Sequence, residues 1–109
     1  MARGKLSGLR RIDQIIWHGV GHEPGVYLFY KTQNGPCRYV GRSDTSLRNR
    51  IAGRDYRYYQ YKHTDDDIEA YNWECKYFHK FEGTLDNRNH PAKPSNLWYY
   101  DLRCPVCGR

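Results

Sequence analysis

Apolar positions recur along the chain at two different periods, and each period predicts a kind of element. After a small, basic lead-in over residues 1–8, Leu9, Ile12, Ile15 and Ile16 fall at helical spacing and predict a short amphipathic helix over 9–17. Three glycines and a proline in HGVGHEPG break it. GVYLFYK (25–31) is a β-branched and aromatic run of strand length, QNGPC is a turn, and CRYVGRS (37–43) is a second strand, so 25–43 reads as a β-hairpin. In SDTSLRNRIAGR a capping side chain precedes Leu47 and Ile51 at i, i+4, which predicts a short basic helix. DYRYYQYKHTDDD fits loop or strand equally. Ile68, Tyr71, Cys75 and Phe78, spaced by three and four behind the acidic DDD, predict a helix from about Asp67 that ends at Gly83. TLDNRNHPAKPSN (84–96) reads as loop and NLWYYDLR as a final strand before CPVCGR. That order of elements predicts a compact α+β domain.

Size and charge narrow the picture. The chain's 109 residues allow one domain, with a core over about 24–96 and a tail over 97–109, and exclude a two-domain enzyme. No run approaches 18 consecutive apolar residues, so no membrane span is expected. The polar, basic stretch Met1 to Arg11 does not read as a secretory leader, and a cytoplasmic location is expected. The 18 Lys and Arg exceed the 12 Asp and Glu by six, which favours an anionic partner such as nucleic acid. The 11 Tyr against 3 Phe suit a wet interface, because each phenol pairs an apolar body with a polar tip. Under reducing conditions Cys37, Cys75, Cys104 and Cys107 point to metal or redox chemistry rather than to disulfides.

Four constellations could carry chemistry. Gly25-Val26-Tyr27 and Tyr39-Val40-Gly41 lie on the two hairpin strands, where pairing could bring both phenols to one face. Arg48-Asn49-Arg50, with Arg42 and Arg54 nearby, offers guanidinium forks that suit phosphate. Glu74, between Trp73 and Cys75 in an aromatic helix, is either a residue of the polar face or a hard ligand for Mg²⁺ or Mn²⁺. Cys104-Pro-Val-Cys107-Gly is a zinc-knuckle pattern supplying two thiolates, and Cys75 and His79 share one helix face four residues apart. Together they predict a structural Zn²⁺ held by Cys75, His79, Cys104 and Cys107, stapling the tail to the helix. Cys37 has no partner in this scheme, and His90 is a weaker ligand candidate that reads as a loop residue.

GVY, eleven residues, YVG, then LRNR, a helical Glu and a later Asn resemble the GIY-YIG nuclease family over residues 24–87. The resemblance implies a small antiparallel sheet with flanking helices and metal-dependent cleavage of DNA phosphodiesters. It assigns Tyr27 and Tyr39 as the sheet tyrosines, Arg50 as the motif arginine, Glu74 as the carboxylate for Mg²⁺ or Mn²⁺, and Asn87, with Asn96 as alternative, as the late asparagine. Arg42, Arg48 and Arg54 would then contact DNA, and Arg42, Arg48 and Arg50 would lower the tyrosine pKa values. The stretch from Gly41 to Arg50 is one residue longer than the family pattern, which makes Arg48 a competitor of Arg50. The family's His or Tyr four residues later is Arg54 here, with Tyr56 or Tyr58 as substitutes.

The expected function is therefore a DNA endonuclease with a structural zinc, acting on branched or damaged DNA among other forms. A chain this short would need a dimer or a partner protein for sequence-specific recognition. The rival reading from another class is a non-catalytic nucleic-acid-binding zinc module. A redox role for CPVC is less suited, since that pair does not open a helix after a strand.

Overall fold

The computed structural model describes residues 5–94 and 102–109. Its centre is a four-stranded antiparallel sheet of β1 (Arg10–Arg11), β2 (Gly25–Tyr30), β3 (Cys37–Ser43) and β4 (Tyr58–His63), in the order β1-β4-β2-β3. A 3-10 helix (Ile12–Trp17) and helices α1 (Leu47–Ile51) and α2 (Asp67–Lys80) complete the α+β fold. The hairpin and both later helices lie where the hydrophobic pattern places them. The expected final strand NLWYYDLR falls largely outside the described residues.

Strand alternation divides the core into two layers, since successive side chains point to opposite faces. On one face Tyr27, Phe29 and Tyr59 join Ile12, Ile15, Val20, Leu47 and Ile51 beneath the 3-10 helix and α1. On the other, Val26, Leu28, Cys37 and Val40 pack against Trp73, Tyr77 and Phe81 of and just beyond α2. Each of the two α-helices is fixed at its start by a side-chain cap. The Ser46 hydroxyl accepts from the Asn49 amide, and the Asp66 carboxylate accepts from the Glu69 amide at 2.8 Å.

Two segments differ from their sequence-based reading. The undecided DYRYYQYKH stretch contains β4, an inner strand paired with both β1 and β2. Segment 9–17 becomes a two-residue strand followed by a 3-10 helix kinked at Gln14. At three residues per turn, Ile12 and Ile15 eclipse and both are buried, while Ile16 and Trp17 are left 61% and 80% exposed.

The outer edge of β3 is not bare. The Asp86 amide donates to the Arg38 carbonyl at 2.5 Å, and the Thr84 hydroxyl donates to the Cys37 carbonyl at 2.9 Å. The Asn87 side chain then behaves like a peptide group. Its Nδ2 donates to the Val40 carbonyl at 2.8 Å and its Oδ1 accepts from the Val40 amide at 3.4 Å.

Candidate functional site

Pairing across the hairpin sets Tyr27 opposite Gly41 and Phe29 opposite Tyr39. Tyr27 and Tyr39 therefore lie diagonally on one face, with rings stacked at 6.3 Å and 5° apart in plane. Gly41 makes room for this: a Cβ there would lie 2.5 Å from the Tyr27 Cζ and Oη. Arg42, one residue on, points to the opposite face and meets α2. Its Nη1 donates to Glu74 Oε1 at 2.6 Å and its Nε donates to Asp44 Oδ1 at 2.8 Å. The two sides meet around β3 in an open cleft of about 400 Å³, lined by Tyr27, Tyr39, Gly41, Arg42, Asp44, Thr45, Arg50, Glu74 and Ala92. The cleft thus brings together Tyr27, Tyr39, Arg42, Arg50 and Glu74 of the sequence-derived candidates.

The electrostatics refine their roles. Glu74 belongs to the buried stripe of α2 and is 8% exposed, so the polar-face alternative does not hold. Burial raises its carboxyl pKa, with Arg42 acting in the opposite sense. Arg42 does not offer an open fork to DNA, because two carboxylates occupy it; they keep it protonated against the opposing pull of burial. The tyrosine expectation also changes. Burial raises the Tyr27 pKa despite Arg54, whose Nη1 lies 3.5 Å from the phenol oxygen, so this phenol keeps its proton at neutral pH. Arg54 stacks on Tyr39 and Phe29 at 5.3 and 5.4 Å. Neither Arg48 nor Arg54 lines the cleft.

Of the remaining candidates, Asn87 commits its amide to the Val40 backbone and does not line the cleft; it holds β3 in place beside Tyr39 and Gly41. Asn96 lies outside the described residues. Tyr56 donates to Asp86 at 2.7 Å and packs against Phe29 and Tyr39. Tyr58 is in β4, opposite Tyr30. Asp44 is a cleft carboxylate that the sequence reading missed, since nothing in the GRSDTS turn distinguishes it from a helix-capping residue.

A second group of ligating side chains lies at the far end of α2. His79, His90, Cys104 and Cys107 each offer one ligand atom, all within 4.8 Å of one another, so the cluster could hold a metal ion such as zinc. Three of the four expected ligands, His79, Cys104 and Cys107, lie in this cluster; its fourth member is His90 rather than Cys75. Cys75 is fully buried behind the cluster with Tyr71 and Cys104, and burial pushes its thiol up to about 12. Burial acts to raise the Cys104 pKa as well, but the backbone amides of Cys107 and Val106, with His90 and Cys75, bring it down to about 5. Cys37, buried beneath α2, is pushed up to about 11 by desolvation and stands apart. The signal that would have found His90 is the loop's return to α2, which no local spacing records.

No family model, curated protein or solved structure matches the chain. Among the described residues, no helix is long and apolar enough to cross a membrane.

Proposed function

We propose that the chain is a metal-dependent endonuclease that hydrolyses DNA phosphodiester bonds. The observation that carries this reading is the convergence of Tyr27, Tyr39, Arg50 and Glu74, from two paired strands and two helices, on one open cleft. The donor chemistry suits a hard cation: Glu74 and Asp44 are oxygen ligands on the same cleft, and phosphate and water complete such a shell. Glu74 would hold Mg²⁺ or Mn²⁺, which supplies charge neutralisation at the phosphate and at the leaving 3′-oxygen. Arg50 grips the scissile phosphate with its planar fork and offsets charge as the pentacovalent state forms. Tyr27 keeps its proton, so it orients the attacking water rather than deprotonating it.

Incubating supercoiled plasmid, duplex, flap and junction DNA with the full chain in Mg²⁺ or Mn²⁺ tests the reading. Cleavage should fall on the order of 100-fold or more in Arg50→Ala and Glu74→Ala. Intact DNA under every metal and substrate would remove the nuclease assignment.

One observation favours a second reading. The guanidinium of Arg42 already neutralises Glu74 at 2.6 Å, as a purely structural ion pair would. On that reading the fold binds nucleic acid without cutting it. Binding that survives Glu74→Gln and weakens in Arg50→Ala, with no cleavage by the unaltered chain, would identify it.

A further inference from the structure

The His79, His90, Cys104 and Cys107 cluster carries more order than a chance meeting of four side chains. Each histidine has its ring turned by an acceptor. His79 Nδ1 donates to the Glu82 carboxylate at 2.5 Å, and His90 Nδ1 donates to the Pro91 carbonyl at 3.1 Å. An acceptor at Nδ1 places the proton there and leaves Nε2 as a lone pair, the arrangement that outer partners impose on metal-bound imidazoles. Among the described residues His79 Nε2 is buried without a hydrogen-bond partner, which is costly for a polar atom unless something else satisfies it. His90 Nε2 lies 3.3 Å from Cys107 Sγ. Tetrahedral zinc, with bonds of about 2.0–2.3 Å, holds its ligand atoms roughly 3.3–3.8 Å apart.

The CPVCG turn is built in the same sense. The Val106 amide donates to Cys104 Sγ at 3.4 Å, and the Gly108 amide donates to the Cys104 carbonyl at 2.9 Å. Gly108 sits at φ +79°, where a side chain would strain the turn. Two thiolates and two neutral imidazoles are a borderline-soft donor set that selects Zn²⁺ over Mg²⁺ or Ca²⁺.

The three elements that meet here matter as much as the ligands. His79 closes α2, five residues after Glu74. His90 belongs to the 84–94 segment, which covers the β3 edge through Thr84, Asp86 and Asn87 and reaches the cleft at Ala92. Cys104 and Cys107 come from the C-terminal residues.

We propose that His79, His90, Cys104 and Cys107 bind one Zn²⁺, and that this ion clamps the 84–94 segment against β3 and α2, fixing one wall of the cleft. The ion is structural, with all four positions filled by protein, and it is distinct from any ion at Glu74. The inference does not depend on DNA cleavage, because its readouts follow the ligands and the segment.

The test begins with elemental analysis of the full chain and Co²⁺ replacement in solution. One equivalent of zinc is expected, and the Co²⁺ form should give a tetrahedral spectrum with two thiolate charge-transfer contributions. Cys75→Ser should leave stoichiometry and spectrum unchanged, whereas Cys107→Ser should remove about half of the charge-transfer intensity. Glu82→Gln should weaken zinc binding by roughly 10–100-fold, and His90→Ala by more. Chelation should speed amide exchange across 84–94 while β2 and β4 stay protected. Absence of stoichiometric metal after refolding in zinc would overturn the site. Loss of binding in Cys75→Ser, with His90→Ala unaffected, would overturn the ligand set. Unchanged exchange over 84–94 on chelation would overturn the clamp.

Discussion

At the residue scale, the cleft depends on two contacts with opposite tolerance. Gly41 lies under the Tyr27 ring so closely that any Cβ displaces it. Tyr27 is 1% exposed and cannot swing into solvent without emptying the core. Gly41→Ala should therefore cost about 1–3 kcal/mol in denaturant unfolding, the usual penalty of overpacking, and lower any cleavage together with it. The Arg42–Glu74 pair behaves differently. Removing only Arg42 leaves a buried carboxylate unpaired, so Arg42→Met should cost about 3–5 kcal/mol. The double variant Arg42→Met, Glu74→Leu should recover much of that loss, and a double-mutant cycle measures it. The shared face of Tyr27 and Tyr39 was legible in sequence because the strand period and the hairpin turn set it. The engagement of Arg42 with Glu74 was not: that partner is 32 residues away, and charge counts do not distinguish a paired guanidinium from an open one.

At the scale of elements, the pattern served best where one face is apolar and the other polar. The α2 stripe of Tyr71, Cys75 and Phe78 is such a case, although Glu74 joins it. It failed at β4, whose Tyr, Gln, Lys and His side chains bury their bodies while remaining polar in composition. Tyr59 lies wholly within one layer, and Lys62, nearly buried on the other face, lies 5.1 Å over the Trp73 ring. The 3-10 segment was misread because helical spacing at i and i+3 suits a 3-10 turn as well as an α-turn. Caps were legible and are testable. Asp66→Ala removes the acceptor for the Glu69 amide and should destabilise the fold by about 1 kcal/mol, seen as a lower denaturant midpoint with an unchanged slope.

For the whole molecule, the tyrosine excess sets a limit on alkaline stability. Burial pushes the phenols of Tyr30, Tyr56 and Tyr59 up to about 12, with Cys37, Asp86 and Tyr61, respectively, adding to it. A pKa raised in the folded state favours the protonated phenol there, so this contribution is complete below the unfolded value of about 10. It is lost as pH climbs through the folded values. Unfolding free energy should therefore hold up to about pH 10 and fall between roughly 10 and 12, with tyrosinate absorbance appearing together with loss of secondary structure. Ionisation of these phenols well below pH 10 in the folded chain would contradict this burial.

The covered edge of β3 also bears on how copies of the chain behave toward one another. An open outer strand is a template for another molecule's backbone, and here Asn87 and its neighbours occupy the Val40 amide and the carbonyls of Cys37, Arg38 and Val40. The segment works as an internal plug against strand-to-strand growth. A chain whose plug is pulled away would keep much of its fold yet gain a sticky rim, so its first symptom at high concentration would be self-assembly rather than melting.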